Sequence, residues 1–303
     1  NNSAGQLGDG SYTSTNRPKQ IISSDVVGIA GGFMHSLLIK SNSSLWAMGD
    51  NSYGQLGDGT TTSTNKPKQI VSSNVVAAAG GLFHNLFLKS DGSLWGMGAN
   101  GSGQLGDGTT NTIKIPEQIV SSNVVAITTG GGSSHSLFLK SGGSLWVMGG
   151  NSYGQYGGGS TSRTNRPKQI VSSNVVAIAV GALHSMFLKS DGSLWTMGWN
   201  GQSQLGNGTT ADRYSPVPIV PFPPSPAILN VNFVGPNVQL LATNGLASGT
   251  YYALMGTNAT LPLSQWTRVA TNVPAADGAF TITAANTFDP NVAQRFYTLQ
   301  LLR

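Results

Sequence analysis

Short apolar stretches alternate with clusters of Ser, Asn, Thr and Gly along the first 220 residues. In the second copy of this pattern, four runs have the length and composition of β-strands, at 68–71, 74–79, 84–89 and 93–97. The tetrapeptide Ser-Asp-Gly-Ser at 90–93 predicts a tight hairpin, because Gly tolerates the positive φ angle that such a turn requires. Residues 86–88 are apolar on both faces of the third strand. The pattern therefore predicts a four-stranded sheet that is covered on both sides.

Single residues repeat with the same period, which marks the copies as duplicates of one unit. The successive histidines and tryptophans are separated by 49, 51 and 49 residues. These anchors are His35, His84, His135, His184, Trp46, Trp95, Trp146 and Trp195. Five prolines follow the repeat and add a fifth copy, namely Pro18, Pro67, Pro116, Pro167 and Pro216. Four-stranded repeats of about 40 to 50 residues are typical of β-propeller blades, so we expect an all-β fold.

The most regular stretch of each copy carries a family resemblance. In the second copy it comprises Val-Val-Ala-Ala-Ala-Gly-Gly at 75–81, then His84, Leu-Trp-Gly-Met-Gly at 94–98 and a polar loop at 100–108. This pattern recurs four times over about residues 1–220. It resembles the repeats of the regulator of chromosome condensation family, in a bacterial secreted form. The resemblance implies propeller blades, seven of which usually close a ring in that family, and an architectural role for the repeated histidine.

The number of blades departs from that family. The chain holds four complete blades, plus an opening loop at 5–10 and an unpartnered first strand at 216–220, which amount to a partial fifth. An incomplete ring leaves an apolar face bare at each end, which marks an interaction surface or an aggregation hazard. Three explanations stay open: the chain is a fragment of a longer array, blades of different chains stack, or four blades close a ring.

A second domain is predicted after the repeats. All repeat anchors vanish beyond a stiff proline-rich segment, so we expect a repeat array at 1–220, a linker at 221–226 and a C-terminal domain at 227–303. Six strand-like runs predict a small β-sandwich there, at 230–234, 238–242, 250–255, 267–270, 280–283 and 295–302. The segments 261–266 and 294–297 resemble the terminal β domains of large secreted bacterial proteins, which points to export or surface display.

Composition and charge narrow the class of protein. Only 9% of the residues are charged, while Asn, Ser, Thr and Gly abound, so helices are not expected. The net charge of +5 is a weak excess that does not favour nucleic acid as a partner. Cysteine is absent, and no stretch reaches the roughly 18 apolar residues of a membrane span. The opening Asn-Asn-Ser is not a signal peptide, and we expect a bacterial protein that is extracellular or at the cell surface.

The repeated polar residues favour structure over chemistry. One histidine per blade does not supply the clustered ligands of a metal site, so each imidazole is expected to anchor its own blade through nearby backbone. The Gly-Gln-Leu-Gly-Asp-Gly segments lack the pattern of a phosphate or calcium loop, and Asp58 is expected to cap local backbone amides. No Ser-His-Asp set, paired-carboxylate site or nucleotide motif is found. We therefore predict no catalytic residue, no cofactor and no metal.

Two groups of residues are candidates for contact with a partner. The repeated tryptophans are assigned to the core between blades, whereas Trp199 breaks the repeat in a loop and is a candidate for exposed contact. The second group is a basic rim in or just before the first strand, formed by Arg17, Lys19, Lys66, Lys68, Lys114, Arg166 and Lys168. A polyanion could bind there, but nearby acidic residues and the lack of interleaved aromatic residues favour a solvated edge that blocks strand pairing.

The leading hypothesis is a non-enzymatic scaffold that presents loops, especially 60–65 and 109–114, to a protein or glycan partner outside the cell. A second is a structural subunit that assembles into extracellular fibres, a homo-oligomer joined through exposed blade faces. A third makes the propeller an accessory to a larger enzyme. Nucleotide exchange on a small GTPase, the family's best known activity, is disfavoured because the resemblance lies in blade-core positions and a fold does not carry its function along.

Overall fold

Two compact units make up the chain, Asn1–Ile219 and Val220–Arg303. The computed structural model describes residues 1–219, 227–245, 251–256, 260, 263–272, 278–285 and 296–301. The predicted linker at 221–226 lies outside the described residues. Within the described ranges there is no α-helix, and no helix has the length and apolar character needed to cross a membrane.

The first unit consists of four separate antiparallel sheets, each with its four strands in chain order. The first blade contains β1 Val26–Gly31, β2 His35–Lys40, β3 Leu45–Gly49 and β4 Thr64–Val71. The second contains β5 Val75–Gly80, β6 His84–Lys89, β7 Leu94–Gly98 and β8 Ile113–Val120. The third contains β9 Val124–Thr129, β10 His135–Lys140, β11 Leu145–Gly149 and β12 Thr164–Val171. The fourth contains β13 Val175–Val180, β14 His184–Lys189, β15 Leu194–Gly198 and β16 Arg213–Ile219. The predicted all-β fold with four propeller blades is confirmed.

The outer strand of each blade lies in a different place from the predicted one. The run at 68–71, expected to open a blade, ends β4 and pairs with β3 of the preceding blade, where Gln69 lies opposite Trp46. The run at 216–220, expected to be unpartnered, ends β16 as far as it is described, with Pro218 opposite Trp195. Local sequence predicts a strand but not its neighbour, and a long loop separates β3 from β4. The strand of the expected partial fifth blade is therefore the outer strand of the fourth blade.

The hairpin between the second and third strands of a blade follows the sequence signal. In the second blade Gly92 adopts a φ of +77°. The backbone N–H of Lys89 donates to the carbonyl of Ser93 at 3.0 Å. The carboxylate of Asp91 accepts from the N–H of Ser93 at 2.9 Å, so the Asp-Gly pair fixes the turn.

Hydrophobic cores lie between consecutive blades. Leu37 and Leu45 of the first blade pack with Phe87 and Met97 of the second, and all four are buried. Equivalent cores join the second blade to the third and the third to the fourth. Each fully buried side chain of this size contributes about 1.5 to 3 kcal/mol, so these junctions hold the array together. In the described part of the first unit, neither a core nor a strand pair joins the fourth blade to the first, so hydrogen bonds do not close a ring.

The second unit is the expected small β-sandwich. Its strands are β17 Ala227–Val234, β18 Asn237–Gly245, β19 Tyr251–Gly256, β20 Thr267–Asn272, β21 Gly278–Ala284 and β22 Phe296–Leu301. They form two sheets with the strand orders β17-β18-β21 and β20-β19-β22. The buried inner faces of the two sheets meet through Val238, Ala253 and Ile282. Of the two segments that resemble export domains, residues 261–262 and 294–295 lie outside the described residues.

Candidate functional site

The histidines form a ladder of hydrogen bonds from blade to blade. In the first three blades, the imidazole Nε2 meets the side chain that directly follows the histidine of the next blade. The contacts are His35 to Asn85 Oδ1 at 2.7 Å, His84 to Ser136 Oγ at 2.9 Å and His135 to Ser185 Oγ at 2.9 Å. The expectation of a backbone partner in the same blade was wrong. The partner is a side chain of the next blade, which comes within reach of the imidazole only when the blades stack.

The residues that meet the histidines also bond to loop backbone. Asn85 Nδ2 donates to the carbonyl of Gln55 at 2.7 Å, and Ser136 Oγ donates to the carbonyl of Gln104 at 2.8 Å. Gln55 and Gln104 belong to the long loops of the preceding blades. These two links therefore tie the second strand of a blade to both the histidine and the long loop of the blade before it.

Burial keeps the imidazoles neutral. Desolvation, helped by the neighbouring histidines, lowers the pKa of both His84 and His135 to about 3. Desolvation also lowers the pKa of His35 and of His184. A Cβ on Gly81 would lie 2.1 Å from Cε1 of His84, so only glycine fits beside the ring. Across the part of the chain that the structure describes, no group of three His, Asp or Glu residues could hold a metal ion.

A buried asparagine organises each long loop between the third and fourth strands. Asn51 Nδ2 donates to Asp58 Oδ1 at 3.0 Å, and its Oδ1 accepts from the N–H of Leu56 at 2.9 Å. Asp58 also accepts from the N–H of Thr60 at 2.9 Å, so it caps a turn. This role was not predicted from the sequence, although an asparagine stands two residues after the Trp-bearing strand in each of the four blades. The counterparts are Asn2, Asn100, Asn151 and Asn200.

The repeated tryptophans are half-buried beside the junctions between blades. The indole Nε1 of Trp95 donates to Ser93 Oγ at 2.8 Å, and the ring stacks on Phe87 with centroids 6.1 Å apart. Lys89 Nζ lies 3.9 Å from the centroid of the same ring. The same lysine contact recurs at Trp46, Trp146 and Trp195. These rings therefore contribute to packing and leave little surface for a ligand.

Exposed aromatic side chains gather at the end of the blades where the histidine strands begin. The ring of Phe83 lies 4.8 Å from that of Tyr53 and 6.1 Å from that of Phe33, measured between centroids. Phe33 is 57% exposed and Tyr53 is 45% exposed. We call these three residues the aromatic cluster. The cluster was not predicted from the sequence, because its aromatic residues do not recur in every copy of the repeat. Only the fold brings the three rings together.

Trp199 belongs to a second aromatic pair at the same end of the fourth blade. Its ring lies 6.3 Å from that of Tyr153 between centroids, in an edge-to-face arrangement. Trp199 is half-buried and Tyr153 is exposed. The predicted contact residue thus adjoins a surface aromatic residue that the sequence analysis did not single out. The threonines at 60–62 lie in the same set of loops and are exposed.

The basic rim is divided among blades and partly neutralised. Lys19 pairs with Asp9 and Lys68 pairs with Asp58, each at 2.6 Å. The hydrogen bond from Lys19 holds the pKa of Asp9 well below its usual range. Lys66 and Lys68 lie on β4, Lys114 on β8, Arg166 and Lys168 on β12, and Arg17 precedes β1. The lysines therefore fix neighbouring loops, and the structure does not bring the rim together into one site.

Comparisons with known proteins place this architecture in a family. A family model described as an RCC1-like domain matches residues 1–237. The structure of human WBSCR16 is 26% identical with a TM-score of 0.65, over 76% of this chain and 63% of that one. Yeast RCC1 (Prp20) bound to Kap60 is 20% identical with a TM-score of 0.57, over 88% and 64%. Prp20p from Saccharomyces cerevisiae is 21% identical with a TM-score of 0.58, over 88% and 66%.

These matches cover only part of each solved structure. The chain spans 63 to 66% of the length of these solved structures, and at 20 to 21% identity the two yeast structures show the fold alone. A comparison with curated proteins found no match. The match of the RCC1-like model extends over most of the chain and includes all four blades. The chain therefore belongs to the RCC1-like domain family.

Proposed function

We propose that this chain is a non-enzymatic protein-interaction scaffold, and that the aromatic cluster at the junction of the first two blades contacts the partner. The observation that carries the proposal is the group of three adjacent rings, two of them widely exposed, on loops of two different blades. Exposed Tyr, Trp and Phe side chains are enriched at protein interfaces, where their large rigid rings supply much of the binding energy.

The loops that carry the cluster are rigid, which lowers the entropy cost of binding. The N–H of Phe33 donates to the carbonyl of Gly81 at 3.2 Å, so the turns of two blades are tied together. Tyr53 lies in the loop that Asn51 organises, and its N–H donates to Gln55 Oε1 at 2.9 Å. A surface that is ordered before binding keeps more of its contact energy as affinity.

The aromatic residues exposed on the loops differ from one junction between blades to the next, which supports recognition of a specific partner. The third and fourth blades carry the second pair, Tyr153 and Trp199. At the junction between the second and third blades, Ser102 stands in the place of Tyr53, and Ser134 in the place of Phe83. Two aromatic sites separated by a polar junction would give a partner both affinity and register.

The partner itself is identified only by class. One of the yeast structures shows Kap60 bound to RCC1 (Prp20), and the other is described together with the binding properties of Prp20p to Gsp1p and histones. These are partners of Prp20. Because this chain belongs to the same family, its own partner is proposed to be a protein. A glycan is the alternative class for exposed aromatic rings, and an extracellular or cell-surface location stays a prediction from the sequence.

A displayed peptide library tests the proposal directly. Peptides selected on the immobilised chain are measured against Phe33→Ala and Tyr53→Ala, with Val76→Ala as the control. Val76 is an exposed apolar residue near the opposite end of β5, at 53% exposure. We expect either cluster variant to weaken binding about ten-fold or more and the control to leave it unchanged. Selected peptides that bind both cluster variants normally, or aromatic-dependent binding only on a glycan array, would overturn the proposal.

A further inference from the structure

Each terminal blade leaves one apolar sheet face without a neighbouring blade in the described part of the first unit. On the first blade this face, called the first open face, comprises Val26, Ile29, Leu38 and Met48. Ile29 is 84% exposed, whereas its counterparts in the other blades are half-buried against the cores. The face lines a groove of about 680 Å³ whose wall also includes Ser36.

The fourth blade presents the opposite kind of face. Met186, Leu188 and Leu194 form it, and we call it the last open face. All three are half-buried, whereas the residues at the same positions in the second and third blades are buried. In each interior junction, a face of this second type packs on a face of the first type. The two open faces are therefore the two halves of one junction that already occurs three times in the chain.

The hydrogen-bond ladder is also incomplete at the same two places. Among the described residues no further blade packs on the fourth, and the ring of His184 has no hydrogen-bond partner. Ser36, at the position that accepts the histidine contact in the other blades, is half-buried and bonds only to the carbonyl of Gln6, at 2.8 Å. Its counterparts Asn85, Ser136 and Ser185 are buried. A junction between the open faces would supply Ser36 to His184.

One segment stands in the way of such a junction. Residues 5–10 fold like the long loops of the blades, and Ile21 and Ile22 line the groove, where an outer strand would lie. The segment 199–219 of an incoming fourth blade would claim the same space. Residues 17–22 form no strand, whereas β16 is paired along β15. The segment 1–22 therefore lacks the strand pairing that anchors 199–219 to its own blade.

We propose that copies of this chain associate head to tail: the last open face of one copy packs on the first open face of the next, His184 meets Ser36, and residues 1–22 are displaced. The incoming loop at 203–208 can replace the contacts that 5–10 makes, because the two segments share Gln-Leu-Gly at the same positions. The three inner strands of the incoming fourth blade, β13 to β15, then also pack at the junction. The gain in buried apolar surface drives the exchange. This association is independent of a partner at the aromatic cluster.

Sedimentation of the full chain over a range of concentrations gives the first test, with two matched variants on β1. Ile29 lies on the first open face. Val27 is 69% exposed, and its counterparts in the other blades are exposed even beside their neighbours. We expect the chain to form dimers and larger species, Ile29→Lys to weaken association about ten-fold or more, and Val27→Lys to associate normally. A chain that stays monomeric at all concentrations, or two variants that behave alike, overturns the proposal.

Mixing distinguishes head-to-tail contact from a symmetric one. Ile29→Lys blocks the first open face and Met186→Lys blocks the last. We expect each variant to be monomeric alone and the mixture to stop at dimers, because one good face remains on each chain. Thermal unfolding of each variant checks that it is folded, and Ile29→Lys at its exposed position remains the decisive variant if Met186→Lys unfolds. A mixture that stays monomeric while both variants are folded contradicts the proposal.

Hydrogen exchange reports on the displaced segment. In the single chain, the N–H of Gly8 bonds to Gly5 and the N–H of Gly10 bonds to Asn65. On association we expect faster amide exchange across 5–10 and no change in the equivalent interior loop at 54–59. Continued protection of 5–10 in associated particles would rule out the displacement.

Discussion

At the scale of single residues, the histidine ladder sets the contacts between blades. Its residues could be found from the sequence, since the histidines repeat at a fixed period. Their partners could not, because Asn85, Ser136 and Ser185 follow the histidine of another blade and become neighbours only on stacking. The contact of the exposed rings of Phe33 and Tyr53 with Phe83 could not be predicted for the same reason, since it joins residues of different loops.

Truncation of an interior histidine is expected to be far more damaging than truncation of the last one. His84 is fully buried and bonded to Ser136, so His84→Ala removes a hydrogen bond and leaves a cavity. We expect a loss of about 2 to 4 kcal/mol in the free energy of unfolding. His184→Ala, at the half-buried and unbonded position, is expected to cost less than about 1 kcal/mol. Urea unfolding at low protein concentration measures both; equal losses would contradict a bonded ladder.

Mild acid is expected to weaken the fold through the buried histidines. The pKa of His84 and of His135 is lowered to about 3 in the folded chain, while unfolded histidine titrates near 6.5. Between these values the unfolded state binds more protons than the folded state, so stability falls as pH falls, by up to about 1.4 kcal/mol per pH unit for each histidine. Urea unfolding between pH 7 and pH 4.5 tests this. A flat profile in that window would show that the histidines are not buried as described.

At the scale of elements, alternation of apolar and polar residues predicted the strands and the hairpin turns. The pairing of the outer strand was missed, because β4 is joined to β3 by a long loop and its residues follow the same local rules whichever neighbour they choose. Each of these loops depends on one asparagine and on a following turn, and the copies differ in the acid that caps it. Asp58 and Asp107 are present in two loops, while Gly158 stands at that place in the third blade.

Restoring the missing acid is expected to stabilise the third blade. A Cβ on Gly158 would lie 3.3 Å from Lys168 Nζ and 3.3 Å from Ile170 Cδ1, both of them ends of flexible side chains that can move aside, and the φ angle of Gly158 is not positive. Gly158→Asp should therefore supply both the turn cap and the lysine pair, and we expect a gain of about 0.5 to 1.5 kcal/mol. Gly159→Asp is the control, since Gly159 has a φ of +77° and should lose stability. Thermal unfolding that ranks the two variants in the reverse order would refute this account of the loop.

At the scale of the whole molecule, repeated blades with two different faces explain both the stability of the array and its unsatisfied ends. Interior junctions bury both faces, while Ile29 and Met186 mark the faces that find no blade in the single chain. Four blades could be counted from the sequence, but three explanations stayed open for the apolar faces of the first and last blades. The absence of a core or strand pair between the fourth and first blades, within the described residues, argues against a closed ring of four.

A cryo-electron microscopy structure of the 303-residue chain tests the central claim, that the last open face of one copy packs on the first open face of the next copy. The account predicts arcs of four blades in which His84 meets Ser136 and in which Ile29 of one copy contacts Met186 of the next. Single particles in which Ile29 and Met186 of the same chain meet in a closed ring would contradict it.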